Sequence, residues 1–502
     1  MCGILGLINS KKIKKDVFIG ALNDLNHRGP DNTGYWQNED KNIMLGHKRL
    51  TILDLQHTGN QPMISKSNRY VIVYNGEIYN FLNLKNQLIQ EGQQHFIGTS
   101  DTEVVLNAIE TWGIEKTLSL LDGMFSFSIY DKAKDLIYLC RDRFGEKPLY
   151  YGKKNNFFFF TSELKPLKKF FSFDLNFNEK AINLYFKFGY IPHPYTILED
   201  VYKLEPGKFL IFSIKKNEII DIKNYYELKD VFIEPRNENK NLNQIDTTNL
   251  FENNITKSIE SRTISDVGYG VFLSSGIDSS LIASILALKC NKKIDTYTIG
   301  LKDKLHNEAS SSKLIADHLK SNHHELIIDH SDLLNSLDQI TDVFDEPFAD
   351  SSQVPTILLS RFASDTNKVC LTGDGGDEVF SGYNRHKKIN YFFDQNKIIK
   401  IFLNFLISRF NNPQLVKNLY SLLKILVPSS FKSGIPYEHI QKVQIVLSSK
   451  TKIEAYERLN EIFFPEELKL ILKNYVIDYP YFQKTNIENI DKNIFQYYDF
   501  IN

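Results

Sequence analysis

Cysteine is scarce in this 502-residue chain: only Cys2, Cys140, Cys290 and Cys370 occur. No two lie close enough in sequence for a zinc knuckle or a Cys-x-x-Cys redox pair. So few thiols exclude a disulfide framework and suit a reducing, cytoplasmic setting. Long apolar runs are also missing. IFLNFLI (401–407) is broken at once by Ser408 and Arg409, and nothing approaches the ~18 apolar residues of a membrane span. The opening MCGILGLINSKKIKK places its charge after a very short apolar stretch, the reverse of a secretory signal. An excess of either charge is lacking too. The formal net charge is −1, which favours neither nucleic acid nor an anionic membrane as partner.

What is present is ordinary for a globular protein: 42% hydrophobic and 24% charged residues. The length exceeds what one core serves, so two or three domains are expected. The first 160 residues read mainly as strands: MCGILGLI, NIMLGHKRLTIL, YVIVYNGEIYN, GMFSFSIYD and DLIYLCRD. Two helical patterns, 80–92 and 101–113, each close on a glycine. Strands with helices packed outside predict a layered α+β domain. The charged, Asn-rich stretch 234–246 is the candidate linker. Beyond it YGVFL (269–273), DTYTIG (295–300), HHELIID (323–329) and KVCLTGDGGDE (368–378) alternate with helical patterns. That rhythm predicts an open parallel sheet with its site at the carboxyl ends of the strands. From about 387 to 475 the pattern is helical.

Cys2 follows the initiator Met directly. If that Met is removed, the thiol shares its residue with a free α-amine, whose reference pKa near 8 leaves roughly a tenth of it neutral at pH 7. A nucleophile served by its own terminal amine is the logic of N-terminal threonine hydrolases. Taken alone, Cys2 reads more readily as a small residue opening a strand. Asn75-Gly76 after the strand VIVY is equally a common hairpin turn, and Asp101 at a helix start is equally a plain N-cap.

Together, Cys2, HRGPD (27–31), GHKRLTILD (46–54), YNGEIYN (74–80) and GTSDTEV (98–104) resemble the class II glutamine amidotransferases. The resemblance includes RDRFGEKPLYY (141–151) and SELK (162–165), and the domain is placed at 1–213. It implies an αββα N-terminal-nucleophile sandwich in which Cys2 attacks the glutamine side-chain amide. Asn75 and the Gly76 amide would form the oxyanion hole. Arg49 would pair with the glutamine α-carboxylate, and Glu77 and Asp101 would hold its α-ammonium.

In the second half VFLSSGIDSS (271–280) is a strand, a small-residue loop and a helix start, which exposes N–H groups to an anion. No Lys follows the last Gly, so it is not of Walker type. A tight β-α turn with Ser capping is the simpler alternative. The stretch resembles the PP-loop, S-G-G-x-D-S-S, of enzymes that split ATP into AMP and pyrophosphate. Ser274, Gly276, Asp278 and Ser279 match, while Ser275 stands where Gly is usual and brings a Cβ to the loop. LTGDGGDEVFSGY (371–383) reads either as a solvated turn or as a source of carboxylates. Asp278, Asp374 and Asp377 at strand ends could share one Mg²⁺ with triphosphate oxygens.

Residues 247–502 resemble the synthetase domain of asparagine synthetases, with a helical C-terminal part following the α/β PP-loop core. The resemblance implies that Asp278 and Asp377 bind Mg²⁺, that Asp374 assists acyl-adenylate formation, and that Leu273, Ile299, Thr372 and Gly373 touch ATP. DEPFADSSQVP (345–355) is expected around the acceptor site. Both halves in this order imply that ATP adenylates aspartate, that ammonia freed at Cys2 displaces AMP through an internal tunnel, and that a homodimer forms. Two alternatives stand beside this one: another carboxylate acceptor, such as a uronic acid, or a glutaminase remnant. The family pattern is expected to continue past QYYDFIN (496–502) through a basic segment with a lysine that would lie beyond Asn502.

Overall fold

The computed structural model describes residues 1–9, 13–93, 95–171, 175–233, 242–302, 307–393, 401, 436–463 and 465–472. They fall into two compact units, Met1–Ile182 with Ile191–Gly373, and Asn183–Tyr190 with Asp374–Asn502.

The first strand, Gly3–Ile8, is buried at all six positions. Period-two alternation sends Ile4 and Ile8 to one face and Leu5 and Leu7 to the other. Each face is covered, which is why the strand reads as a continuous apolar run. The strand lies within a six-stranded sheet ordered Val201–Lys203, Tyr150–Lys154, Phe157–Thr161, Gly3–Ile8, Ile43–Arg49, Asn32–Gln37. A second six-stranded sheet is ordered Glu218–Asn224, Lys208–Ser213, Leu136–Arg141, Gly123–Asp131, Tyr70–Ile78, Met63–Ile64.

Ile4, Ile43, Leu45 and Phe160 of one sheet meet Val71, Val73, Leu139, Leu210 and Phe212 of the other in a common core. The Phe158 and Phe212 rings stack there with centroids 4.0 Å apart. Helices Lys15–Asn23 and Leu167–Phe171 cover the outer face of the first sheet. Helices Phe81–Gln90, Asp101–Trp112 and Ile114–Leu120 cover that of the second. The result is the expected αββα sandwich.

The strand Tyr70–Ile78 overturns one reading of the sequence. It runs straight through Asn75 and Gly76, which pair with Ser126 and Phe125 of the neighbouring strand. Cross-strand pairing, not a hairpin, claims this Asn-Gly. A Cβ at Gly76 would lie 2.2 Å from the Met124 carbonyl oxygen, so close strand approach accounts for the glycine.

The parallel sheet is ordered Asn322–Ile328, Asp295–Leu301, Tyr269–Phe272, Val369–Leu371, with every neighbouring pair parallel. The order reverses between Tyr269–Phe272 and Val369–Leu371, which makes the carboxyl ends of those two strands the expected ligand position. The candidate linker is shorter than the sequence suggests: residues 234–241 lie outside the described residues, and helix Gln244–Ser261 starts at Gln244 with Asn243 as its cap. Helices Asn384–Phe393, Pro436–Ser448, Lys452–Leu459 and Pro465–Ile471 bear out the helical pattern in the second unit, with 394–400 and 402–435 outside the described residues. Lys187 pairs there with Glu461 at 3.2 Å. QYYDFIN and most of IFLNFLI also lie outside the described residues.

Gly6 shows how tightly the sandwich closes. A Cβ there would stand 2.1 Å from the Phe160 ring. Gly6→Ala is therefore expected to destabilise by about 1–3 kcal/mol, the range for overpacking a close-packed core. The measurement is denaturant unfolding followed by intrinsic fluorescence, and an unchanged midpoint would contradict this packing.

Candidate active site

The Cys2 pocket is built at the ends of strands from both sheets. Its lining includes Met1, Cys2, Arg49, Gln61, Tyr74, Asn75, Gly76, Glu77, Asp101 and Lys147. The structure thus brings together every residue predicted for this half of the site.

The Cys2 thiol donates to the Leu50 carbonyl at 3.7 Å and accepts from its N–H at 3.4 Å. Burial pushes the thiol pKa up, and the neighbouring terminal amine works against that shift. With Met1 in place, desolvation lowers the terminal amine to about 5.

Asn75 is the clearest candidate in the pocket. Its side chain is 1% exposed, and neither Oδ1 nor Nδ2 has a hydrogen-bond partner. A buried polar group left unpaired costs about 1–3 kcal/mol, so an orphan amide lining a pocket beside a nucleophile points to a ligand atom that completes it.

Arg49 is held by four acceptors: Gln56 O (2.9 Å), Asn60 Oδ1 (2.8 Å), Leu53 O (3.2 Å) and Asp54 O. They fix the guanidinium plane against Gly59, where a Cβ would come 2.1 Å from Nη2.

Asp101 is not the N-cap of its helix. Ser100 takes that role, accepting from Glu103 N–H. The Asp101 carboxylate turns inward and accepts from Tyr74 Oη–H (2.8 Å), Ile78 N–H (2.9 Å) and Thr102 N–H (2.8 Å). Burial raises its pKa against the pull of those donors. Glu77 rises to about 7, through burial first and then the Asp101 charge.

Sequence reasoning assigned no role to Lys147, although it quoted the segment RDRFGEKPLYY. The residue is 5% exposed, and its ammonium donates to Met1 Sδ at 3.0 Å. Burial lowers its pKa, with Glu146 and Glu77 opposing. Gln61 was missed as well. It accepts from Tyr74 N–H and donates to Thr102 Oγ1, bracing the pocket wall.

The second candidate site lies at the switch point of the parallel sheet. Ser274 through Ile277 are exposed, and Gly276 caps helix Ile277–Ser284 in extended backbone. Ser274 Oγ accepts from Gly276 N–H at 3.1 Å, and Ser279 Oγ accepts from Ser274 N–H at 3.1 Å, which shapes the loop. Ser275 fits without difficulty, since its backbone is not left-handed and its hydroxyl donates to Glu308 at 3.2 Å. Leu273 is buried and bonded to Tyr297 and Thr298, and Ile299 lies in the adjoining strand. Thr372 and Gly373 follow strand Val369–Leu371. A Cβ at Gly373 would stand 2.9 Å from Ser279 N, so the two loops meet closely. Asp374 and Asp377 belong to the second unit, with Asp377 in the helix Gly376–Phe380. Among the described residues no group of three or more His, Cys, Asp or Glu could hold a metal by itself. Asp278 lies in the first turn of helix Ile277–Ser284 and Asp377 within its helix, not at strand ends as the sequence reading had them, and Mg²⁺ that arrives with a nucleotide needs only one or two carboxylates beside the phosphates.

The segment 345–355, expected around the acceptor site, makes contacts that the sequence did not foretell. Asp345 accepts from Leu164 N–H, and Glu346 accepts from Ile197 N–H at 2.7 Å and pairs with Lys203 at 2.7 Å. Both acids are engaged by the sandwich domain.

A family model described as "Glutamine amidotransferase domain" matches residues 1–226, and one described as "Asparagine synthase" matches 250–463. The chain therefore combines a glutamine amidotransferase domain with an asparagine synthase domain. It belongs to the glutamine-hydrolysing asparagine synthetase family, a family of ligases. It is 38% identical over 409 residues to "Putative asparagine synthetase [glutamine-hydrolyzing] 2" of Methanocaldococcus jannaschii, covering 77% of this chain and 76% of that one. It is 33% identical over 393 residues to "Asparagine synthetase [glutamine-hydrolyzing] 1" of Bacillus subtilis, covering 77% of this chain and 60% of the relative's length. Among solved structures, the B. subtilis glutamine phosphoribosylpyrophosphate amidotransferase aligns at a TM-score of 0.35 and 17% identity over 64% of this chain and 65% of that one.

Replacing Asn75 by Ala is expected to slow glutamine hydrolysis by about 10²–10³-fold in kcat, the range for loss of one oxyanion donor. Because the amide has no partner to lose, the melting temperature should not fall as it does for other buried truncations. Steady-state glutamate release and a thermal melt check the two halves of this expectation.

Proposed function

We propose that this chain makes asparagine from aspartate, glutamine and ATP in the cytoplasm. The observation that carries the reading is that one chain holds both an orphan buried amide beside Cys2 and a small-residue loop at a parallel-sheet switch point.

After Met1 is removed, the free α-amine takes the thiol proton and Sγ attacks the glutamine amide carbon. Asn75 Nδ2–H and the Gly76 N–H stabilise the oxyanion. The amine returns the proton to the leaving nitrogen, ammonia departs, and water hydrolyses the thioester to glutamate. Arg49 pairs with the substrate α-carboxylate, and Glu77 and Asp101 hold its ammonium. In the second half, Ser274–Ser279 cradle the phosphates of ATP by loop N–H groups and the helix N-terminus. Leu273, Ile299, Thr372 and Gly373 line the nucleotide. Asp278 would hold a Mg²⁺ that, when bound, would neutralise charge at the phosphates. Asp374 assists adenylation of the aspartate β-carboxylate, and Asp377 is assigned to metal. Ammonia must pass within the protein, because it would be protonated in bulk water.

The direct test supplies Mg-ATP, aspartate and amide-¹⁵N glutamine. Label in asparagine with equimolar pyrophosphate is the expected outcome. Labelled ammonia with no pyrophosphate would remove the synthetase half of the reading.

A pH dependence follows from Glu77. Its carboxyl is raised to about 7, so below pH 7 it becomes neutral and no longer attracts the substrate ammonium. Glutaminase kcat/KM is expected to fall about tenfold per pH unit on the acid side, as one proton requires. Glu77→Gln should lower kcat/KM throughout and flatten that limb, as a pH profile in saturating buffer would show.

A further inference from the structure

We infer that Glu163 and Lys165 form a charge relay that ties the Cys2 nucleophile to the segment 342–353 of the synthetase domain. The inference rests on the reading of Cys2 as the nucleophile and adds a positioning role that the chemistry above does not use.

The chain of contacts is continuous. Arg28 Nε donates to the Cys2 carbonyl at 3.0 Å, and its Nη1 donates to Glu163 Oε1 at 2.9 Å. Glu163 is 8% exposed. It also faces His27 at 2.8 Å and the Lys165 ammonium at 3.6 Å. Lys165 is shared almost evenly, lying 3.8 Å from Asp345, and it also donates to the Asp342 carbonyl. Leu164 N–H, between the two relay residues, donates to Asp345 Oδ2. Charges alternate from Arg28 through Glu163 and Lys165 to Asp345.

An even division makes Lys165 responsive. Any shift of the 342–345 backbone moves its ammonium toward or away from Glu163, and Glu163 then holds Arg28 less or more firmly. Arg28 has an Nη2 that is buried without a hydrogen-bond partner, so its seat depends on Glu163 and the Cys2 carbonyl. At the far end, the segment leads into helix Gln353–Ser364 and then into strand Val369–Leu371, whose carboxyl end forms one side of the switch point. One end of the relay is therefore the Cys2 backbone, and the other is a segment that the chain connects to the switch point.

Glu346 is an internal control. It is bound at the same domain junction by Lys203 and Ile197 N–H, and no described contact links that pair to Arg28. A role in docking alone predicts that Glu346 and Asp345 matter equally to Cys2. A relay predicts that only Asp345 does.

The experiment measures the rate of Cys2 alkylation by iodoacetamide, resolved by peptide mass spectrometry, in the full-length chain and in D345N, K165M and E346Q. Asp345→Asn keeps an oxygen acceptor for Leu164 N–H. The expected result is a change of threefold or more in the Cys2 rate for D345N and K165M, with E346Q within 1.5-fold of the parent. Unchanged rates in D345N and K165M, or an equal change in E346Q, would overturn the relay. Because alkylation needs neither glutamine nor ATP, loss of the proposed catalytic reading would show separately, as absence of glutamate from glutamine in the parent.

Discussion

Cys2, the proposed nucleophile, stands just outside the first strand and has to be held by its neighbours, and much of the front half answers that constraint. The answer is the strand that follows. Gly3–Ile8 is buried at all six positions and flanked by Ile43–Arg49 and Phe157–Thr161. Ladder hydrogen bonds on both sides and apolar contacts on both faces leave the strand one register and one direction. The opening residues of a chain are usually poorly ordered unless tied down, and here the tie begins one residue after Cys2. Gly6 belongs to the same arrangement, since the Phe160 ring occupies the space a side chain would need.

Burial then sets the electrostatics of the pocket. Desolvation is the largest influence on the terminal amine, Cys2, Glu77, Asp101 and Lys147 alike. It pushes acids up and amines down, toward neutrality in every case. Asp101 resists through three donors, while Glu77 lies near neutral pH. A pocket of this kind is poised to gain from a zwitterion. A bound ammonium would restore charge to Glu77, and a bound carboxylate would meet an Arg49 already held in place. Substrate binding and the pKa values of the pocket are thus two views of one balance.

Much of this was legible in the sequence. Both domain folds follow from strand patterns and motifs, and the family resemblance those motifs carry named Cys2, Arg49, Asn75, Gly76, Glu77 and Asp101, which the structure gathers in one pocket. What local reasoning could not decide were residues with two local explanations. Asn75-Gly76 looks like a hairpin until cross-strand pairing with Ser126 and Phe125 claims it. Asp101 looks like a cap until Ser100 takes that role and frees the carboxylate for Tyr74 and Ile78. Lys147 and Gln61 were invisible for a different reason: nothing local distinguishes a buried lysine from a surface one. The engagement of Asp345 and Glu346 by the sandwich domain was equally hidden, because acids 181 and 149 positions from their backbone donors carry no mark of them.

Other long-range contacts bind the parallel sheet to the sandwich domain. The loop 50–60 supplies the acceptors that orient Arg49, and Asp54 is its centre. The Asp54 carboxylate accepts from Gln56 N–H, Thr58 Oγ1–H and Thr99 N–H, while its carbonyl accepts from Arg49. Its remaining backbone donor is satisfied from the other domain: Asp54 N–H donates to Asp266 Oδ2 at 2.8 Å, and Asp266 N–H donates to Ile52 O at 3.1 Å. Asp266 lies just before strand Tyr269–Phe272, which leads into the Ser274–Ser279 loop. Nearby, Asp31 accepts from Thr51 N–H and pairs with Lys368, which directly precedes strand Val369–Leu371. The two strands that frame the switch point are therefore anchored, at their amino ends, to the loop that holds Arg49. A displacement of the parallel sheet would be felt first at the guanidinium proposed to receive the glutamine carboxylate. The junction thus braces a loop that lines the Cys2 pocket.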